Sequence, residues 1–239
     1  MSYIDGFVIA VPAENRDRFI EHARTADPVF IELGATRILE CWEDDVPQGE
    51  RTDFRRAVQA EAGEKIVFSW IEWPSRRVRD AAMARMTEIM KTDPRMDPER
   101  NPMPFDGARM IFGGFASAMD EGGPGGGYVD GFLAPVPDGN RDAYLDHARQ
   151  AAALFAEFGA VRVVETWGDD VPHGERTDFH RAVAAGDGEA VVFSWIAWPD
   201  KATRDAGWRR MMADDRMGGP MPFDGKRMVY GGFTPVVEL

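Results

Sequence analysis

Asp44-Asp45, followed by Arg51 and Asp53, is a combination of side chains that can do chemistry. Neighbouring carboxylates can share a proton or take one from a substrate, and a guanidinium fork can hold an anion through parallel hydrogen bonds. The set returns as Asp169, Asp170, Arg176 and Asp178. His22 and His147 stand at matched places, and a neutral imidazole serves as a base near neutral pH. Asp45, Asp170, His22 and His147 are therefore the candidate catalytic residues. Trp42 and Trp70, with their counterparts Trp167 and Trp195, offer flat apolar walls for a pocket. Arg51, Arg109, Arg176 and Arg227 offer anion clamps, which completes the candidate ligand-binding set.

Each of these has a structural alternative. Acidic residues open turns, and arginines tie loops down by ion pairs. Arg109 and Arg227 follow Asp106-Gly107 and Asp224-Gly225, strong turn dipeptides to which they can pair. The two histidines flank an apolar helix face rather than centre on it, and tryptophans fill cores. Ser69 and Ser194 sit between aromatics with no nucleophile elbow, so a space-saving role is expected. His173 and His180 have no counterparts, since Gln48 and Arg55 occupy those places. With no HxxxH or CxxC spacing, no metal site and no cofactor are expected.

The recurrence of these residues reflects a duplication. Tyr3-Ile4-Asp5-Gly6-Phe7 returns as Tyr128-Val129-Asp130-Gly131-Phe132, and Phe68-Ser69-Trp70-Ile71 as Phe193 to Ile196, all at one offset. The second copy then loses seven residues before Met221-Pro222-Phe223-Asp224-Gly225, which repeats Met103 to Gly107. The period is domain-sized, far longer than that of a solenoid. The expected domains are residues 1–119 and 128–239, joined by a flexible linker at 120–127 that contains Gly122-Gly123-Pro124-Gly125-Gly126-Gly127.

Each copy reads strand, helix, strand, strand, helix, strand. In the first, strands are predicted at 3–11, 36–42, 65–73 and near 109–117. Asn15 is placed to cap the first helix, Pro28 to bend it and Gly34 to follow its end. Ser75 and Asp200 are placed to cap the second helix of their copies. Between the second and third strands lies a connection of about twenty residues, long for a compact domain. The order fits a ferredoxin-like βαββαβ unit with both helices on one sheet face. In the third strand Ile66, Phe68 and Trp70 point one way, and Val67, Ile71 and Trp73 the other. Helices can cover only one of these sets, and leaving the other wet would expose a large apolar patch. The fold class is therefore α+β, with two antiparallel sheets packed face to face inside one chain under pseudo-twofold symmetry.

Composition excludes several classes. Lys plus Arg is 28 against 41 Asp plus Glu, a net charge of −13, and both halves are acidic. Nucleic acid is an unfavoured partner on that ground. No apolar run is long enough for a membrane helix, and no signal-peptide pattern opens the chain. With a single cysteine, Cys41, no internal disulfide forms. A cytoplasmic monomer, with higher oligomers open, is expected.

Each copy resembles the bacterial DUF1428 (YbaA-like) family. The resemblance rests on Tyr3 to Phe7, Glu40-Cys41-Trp42-Glu43-Asp44-Asp45-Val46-Pro47, Val67 to Ile71, Met103 to Gly107 and Arg109 to Phe115. It implies an intramolecular dimeric α/β barrel, and within that superfamily both small-molecule enzymes and plain binding proteins. The expected function is to bind or transform a small apolar or aromatic molecule in a barrel cavity. The alternatives are a structural or interaction protein and, less favoured, an RNA-binding sheet.

Overall fold

The computed structural model describes residues 2–217 and 220–239. The first half contains β1 (Tyr3–Pro12), α1 (Arg16–Glu32), β2 (Arg37–Asp45), α2 (Phe54–Ala57), β3 (Glu64–Trp73), α3 (Arg76–Thr92) and β4 (Ile111–Gly122). The second repeats it with β5 (Tyr128–Pro137), α4 (Arg141–Glu157), β6 (Arg162–Asp170), α5 (Phe179–Ala182), β7 (Glu189–Trp198), α6 (Lys201–Met212) and β8 (Val229–Glu238). The eight strands form one closed barrel in the order β1-β3-β2-β8-β5-β7-β6-β4, and every pairing is antiparallel.

Closure forms the barrel that the family resemblance implied, and adds a feature that face-to-face packing of two sheets does not by itself require. The apolar undersides do meet, but β2 also pairs with β8 and β4 with β6, so the two sheets share their edges. This satisfies backbone groups that an open sheet would leave unpaired. It also explains one difference. Asp120 to Gly122, expected in the linker, belong to β4, where they pair with β6, and Asp120 bonds Arg162 at 2.8 Å.

The alternation in β3 and β7 decides what lies inside. Ile66, Phe68 and Trp70 face the barrel interior, while Val67, Ile71 and Trp73 pack under helices. Inside, Phe68 stacks on Phe193 with ring centroids 4.5 Å apart, and Trp70 on Trp195 at 4.4 Å. The long connection supplies the plugs. Asp53 caps α2 by accepting from Arg56 N at 2.8 Å, which places the buried Phe54 edge-on to Phe68 and Phe233. Asp178 does the same for α5 and Phe179. Among the described residues the barrel interior is thus filled by rings, where open space for a ligand was expected.

The helices lie outside, α1 and α3 on the first half and α4 and α6 on the second. Ser75 and Asp200 cap α3 and α6 as expected. Gly34 follows α1 at φ +108, a conformation that favours glycine. Asn15 does not cap α1. Its backbone lies in a helical turn rather than extended, and its Nδ2 donates to Pro104 O at 2.8 Å. α1 runs unbroken through Pro28.

The Tyr-x-Asp-Gly-Phe motif joins the halves. Asp5 accepts from Trp73 Nε1 at 2.9 Å and from Arg79 Nε at 2.9 Å, and Arg79 reaches Asp170 of the other half at 2.8 Å. Asp130 accepts from Trp198, Trp208 and Arg204, and Arg204 reaches Asp45 at 3.0 Å. A Cβ on Gly6 would lie 2.8 Å from the Phe193 ring, and one on Gly131 2.9 Å from Phe68. Gly6→Ala should therefore cost about 1–3 kcal/mol in chemical denaturation. Phe193→Leu in the same chain should return part of that loss. An equal loss in both backgrounds would show that the ring contact is not the cause.

Candidate functional site

The sheet faces outward at odd positions of β3 and even positions of β2, and, because the copies are offset by an odd number of residues, at even positions of β7 and odd positions of β6. A polar pair lies there among apolar neighbours. Glu40 is the cross-strand partner of Ser69, and Glu165 of Ser194. In the second half this pair lines a cleft of about 320 Å³ between the sheet and helices α4 and α6. Phe132, Phe155, Trp208 and Phe223 form its walls, and the exposed Met212 and Met221 edge it. Tyr144 and His147 reach it from α4, one turn apart on the helix face that meets the sheet.

Glu165 Oε2 accepts from Tyr144 OH at 2.5 Å and from the Ser194 hydroxyl. Burial pushes the Glu165 carboxyl up in spite of these two bonds. Burial, and then the neighbouring Glu165, push the Tyr144 phenol well above its usual range. Burial also pushes His147 down, which favours a neutral imidazole. The cleft therefore combines an apolar body with one polar edge that favours uncharged forms. Among the described residues, no cluster of three or more His, Cys, Asp or Glu side chains is placed to hold a metal ion.

The first half builds the same place differently. Phe19 stands for Tyr144, Ile9 for Ala134, Met83 for Trp208 and Asp27 for Ala152. Ile9 packs with Phe19, Trp42 and Val67. His22 Nδ1 lies 2.9 Å from Asn101 Oδ1, in a segment where the second half is shorter. Asp27 Oδ2, Glu40 Oε2 and Ser69 Oγ are sealed from solvent without a hydrogen-bond partner.

Of the candidate catalytic and ligand-binding residues, only His147 lines the cleft, joined there by Ser194, which the sequence suggested only as a space-saver. Trp42 and Trp70 do not share a pocket. Trp42 faces outward against Phe19, with Arg16 over its ring, while Trp70 and Trp195 stack inside the barrel. Trp167 faces outward beside Tyr144 under Arg141. Arg109 is buried and gives both Nη groups to Glu64 at 2.7 Å and its Nε to Asp106, and Arg227 binds Glu189 and Asp224 in the same way. Asp45 and Asp170 hold Arg204 and Arg79 of the opposite halves. Arg51 and Arg176 are exposed and lie near Asp224 and Asp106. Sequence reasoning missed Glu40 and Glu165. Their signal was present, since strand alternation sets each between outward apolar neighbours, Ile38 and Trp42 or Val163 and Trp167.

Asp27 generates a stability prediction. Burial raises its carboxyl from 3.8 to about 7. A carboxyl that is harder to ionise when folded favours the folded state at low pH, and that contribution is lost as pH rises from about 4 through about 7. Asp27→Ala, which copies Ala152, should raise stability by about 1–3 kcal/mol at pH 8, with the gain shrinking toward pH 4. Urea melts at the two pH values check this, and a gain independent of pH would refute it.

Comparison with known proteins agrees with the duplication. Residues 2–107 and 127–225 each match the model of DUF1428, described as a protein of unknown function. The uncharacterized protein YbaA of Escherichia coli K12 is 57% identical over 121 residues, which is 51% of this chain and 100% of the relative. YbaA of Shigella flexneri matches to the same extent. Among solved structures, a "putative monooxygenase" from Lactobacillus acidophilus NCFM superposes with a TM-score of 0.60 at 8% identity, over 99% of this chain and 95% of its own. An anthrone oxidase-like protein superposes with a TM-score of 0.58 at 15% identity, over 100% and 92%. These likenesses concern the fold, a barrel of the dimeric α/β kind. With the same family model matched in both halves, the chain belongs to the DUF1428 family.

Proposed function

We propose that this protein binds a small, largely aromatic molecule in the cleft between the sheet and helices α4 and α6. The observation that carries the reading is the cleft itself: about 320 Å³, walled by aromatic and methionine side chains, with Glu165, Ser194, Tyr144 and His147 along one edge. Its volume falls at the lower end of small-molecule sites, and an apolar body with a few convergent polar groups is their usual chemistry. The fold neighbours described as a monooxygenase and as anthrone oxidase-like are in keeping with a small-molecule ligand.

In this reading each half is a ferredoxin-like unit. The strand order β4-β1-β3-β2 and its copy support that, and the chain closes its own barrel without a second molecule. The binding site moves from the barrel interior, where it was expected, to the helix side of one sheet. An RNA reading would need stacking aromatics on an open sheet face, whereas Phe68, Trp70, Phe193 and Trp195 are buried. No helix among the described residues is long and apolar enough to cross a membrane. A cytoplasmic location fits the single buried Cys41.

A panel of one- and two-ring aromatic compounds tests the reading by thermal shift. At least one should give saturable stabilisation. Ala134→Ile, which places in the cleft the side chain that Ile9 holds in the first half, should weaken that binding by about tenfold or more through lost contact area. The same barrel should remain, because an isoleucine is accommodated at the matched position. A panel without a saturable shift would overturn the proposal.

A further inference from the structure

We infer that Glu165 acts as a neutral hydrogen-bond donor in the cleft, so that the occupant is an uncharged aromatic carbonyl compound, a ketone, aldehyde or quinone, rather than an aromatic acid. This rests on the cleft being a ligand site and specifies its polar recognition. One oxygen of Glu165 is already occupied. Tyr144 OH and the Ser194 hydroxyl both donate to Oε2 of Glu165. A carboxyl oxygen that accepts two hydrogen bonds is a poor place for the acid proton, because a protonated oxygen is itself a donor. The proton then belongs on Oε1. That atom takes no hydrogen bond from the described residues, and unlike Glu40 Oε2 it is not sealed off.

The surroundings favour the protonated form. The groups that face Glu165 are Tyr144 and His147 on α4 and Ser194 on β7, and the side of α6 toward the cleft brings Trp208, Met211 and Met212. On β4 its cross-strand partner is Met119, and the nearby Asp120 is spent on Arg162. None of these is a cation held against the carboxylate, and burial acts on Glu165 in the same direction. An ionised Glu165 would stand uncompensated beside any aromatic carboxylate in a small apolar cleft. A protonated one presents a single O–H to a carbonyl oxygen, with ring atoms against Phe155 and Trp208.

Three probes on one scaffold test this: 1-acetonaphthone, naphthalene and 1-naphthoate. Affinities are measured by quenching of tryptophan fluorescence from pH 5.5 to 8.5. The ketone should bind about threefold to tenfold more tightly than naphthalene, the effect of one net hydrogen bond. The naphthoate should bind more weakly than the ketone. Ketone affinity should fall by up to tenfold per pH unit once Glu165 ionises. Glu165→Gln keeps a neutral donor and should keep ketone binding while removing the pH dependence. Infrared spectra of the unliganded protein at pH 7 should show a carboxylic-acid carbonyl band that Glu165→Gln removes, a readout that needs no ligand. Naphthalene binding as well as the ketone would leave the cleft a ligand site and overturn the donor assignment. Tighter binding of naphthoate, or a pH slope that survives in Glu165→Gln, would do the same. If none of the three binds, the ligand-site reading itself fails.

Discussion

Two pairs of rings meet across the pseudo-twofold axis, Phe68 on Phe193 and Trp70 on Trp195, and the arrangement of the rest of the chain follows from burying them. Large aromatic side chains carry the greatest apolar area per residue, and stacked pairs add to it. Once they occupy the middle of the barrel, β1 and β5 must pass close to the rings of the opposite half. That is why Gly6 and Gly131 lack side chains there, and why the two acidic neighbours, Asp5 and Asp130, are free to anchor Trp73 and Trp198 on the outer face. With rings filling the interior, the aromatic-walled cleft described above lies instead between the sheet and helices α4 and α6.

Much of this was legible from residue order. The apolar character of both faces of β3 requires two covers, and the duplication supplies the second one. The duplicated turns and caps fall where Ser75, Asp200 and Gly34 place them. Closure by shared edges came only from the family resemblance and not from the residue pattern, because strand pairing between halves depends on register, and the sequence of β2 or β4 shows only that each is a strand. The plugging role of the long connection was hidden for a related reason. Asp53 and Asp178 looked like chemistry, but their carboxylates satisfy backbone N–H groups of four-residue helices too short to show a periodic pattern.

The site was the least legible part. Charge attracts attention in a sequence, yet Arg109, Arg227, Asp45 and Asp170 are all consumed in ion pairs that hold loops or join halves. The residues that set the character of the cleft are a glutamate and a serine that look incidental until strand parity sets them opposite each other. The two halves also show how one framework takes two interiors. Tyr144 and Ala152 give Glu165 a partner and leave no second acid nearby. Phe19 and Asp27 give Glu40 neither, and its Oε2 stays unpaired.

The crossing from β4 to β5 takes only the residues between Gly122 and Tyr128, yet it spans the two members of a ring that closes at two seams. A lone half would carry two raw strand edges and a bare aromatic face. Tethering turns their meeting from a collision between molecules into an internal encounter at high effective concentration. Barrel assembly in this chain is accordingly first-order, and dilution does not take it apart.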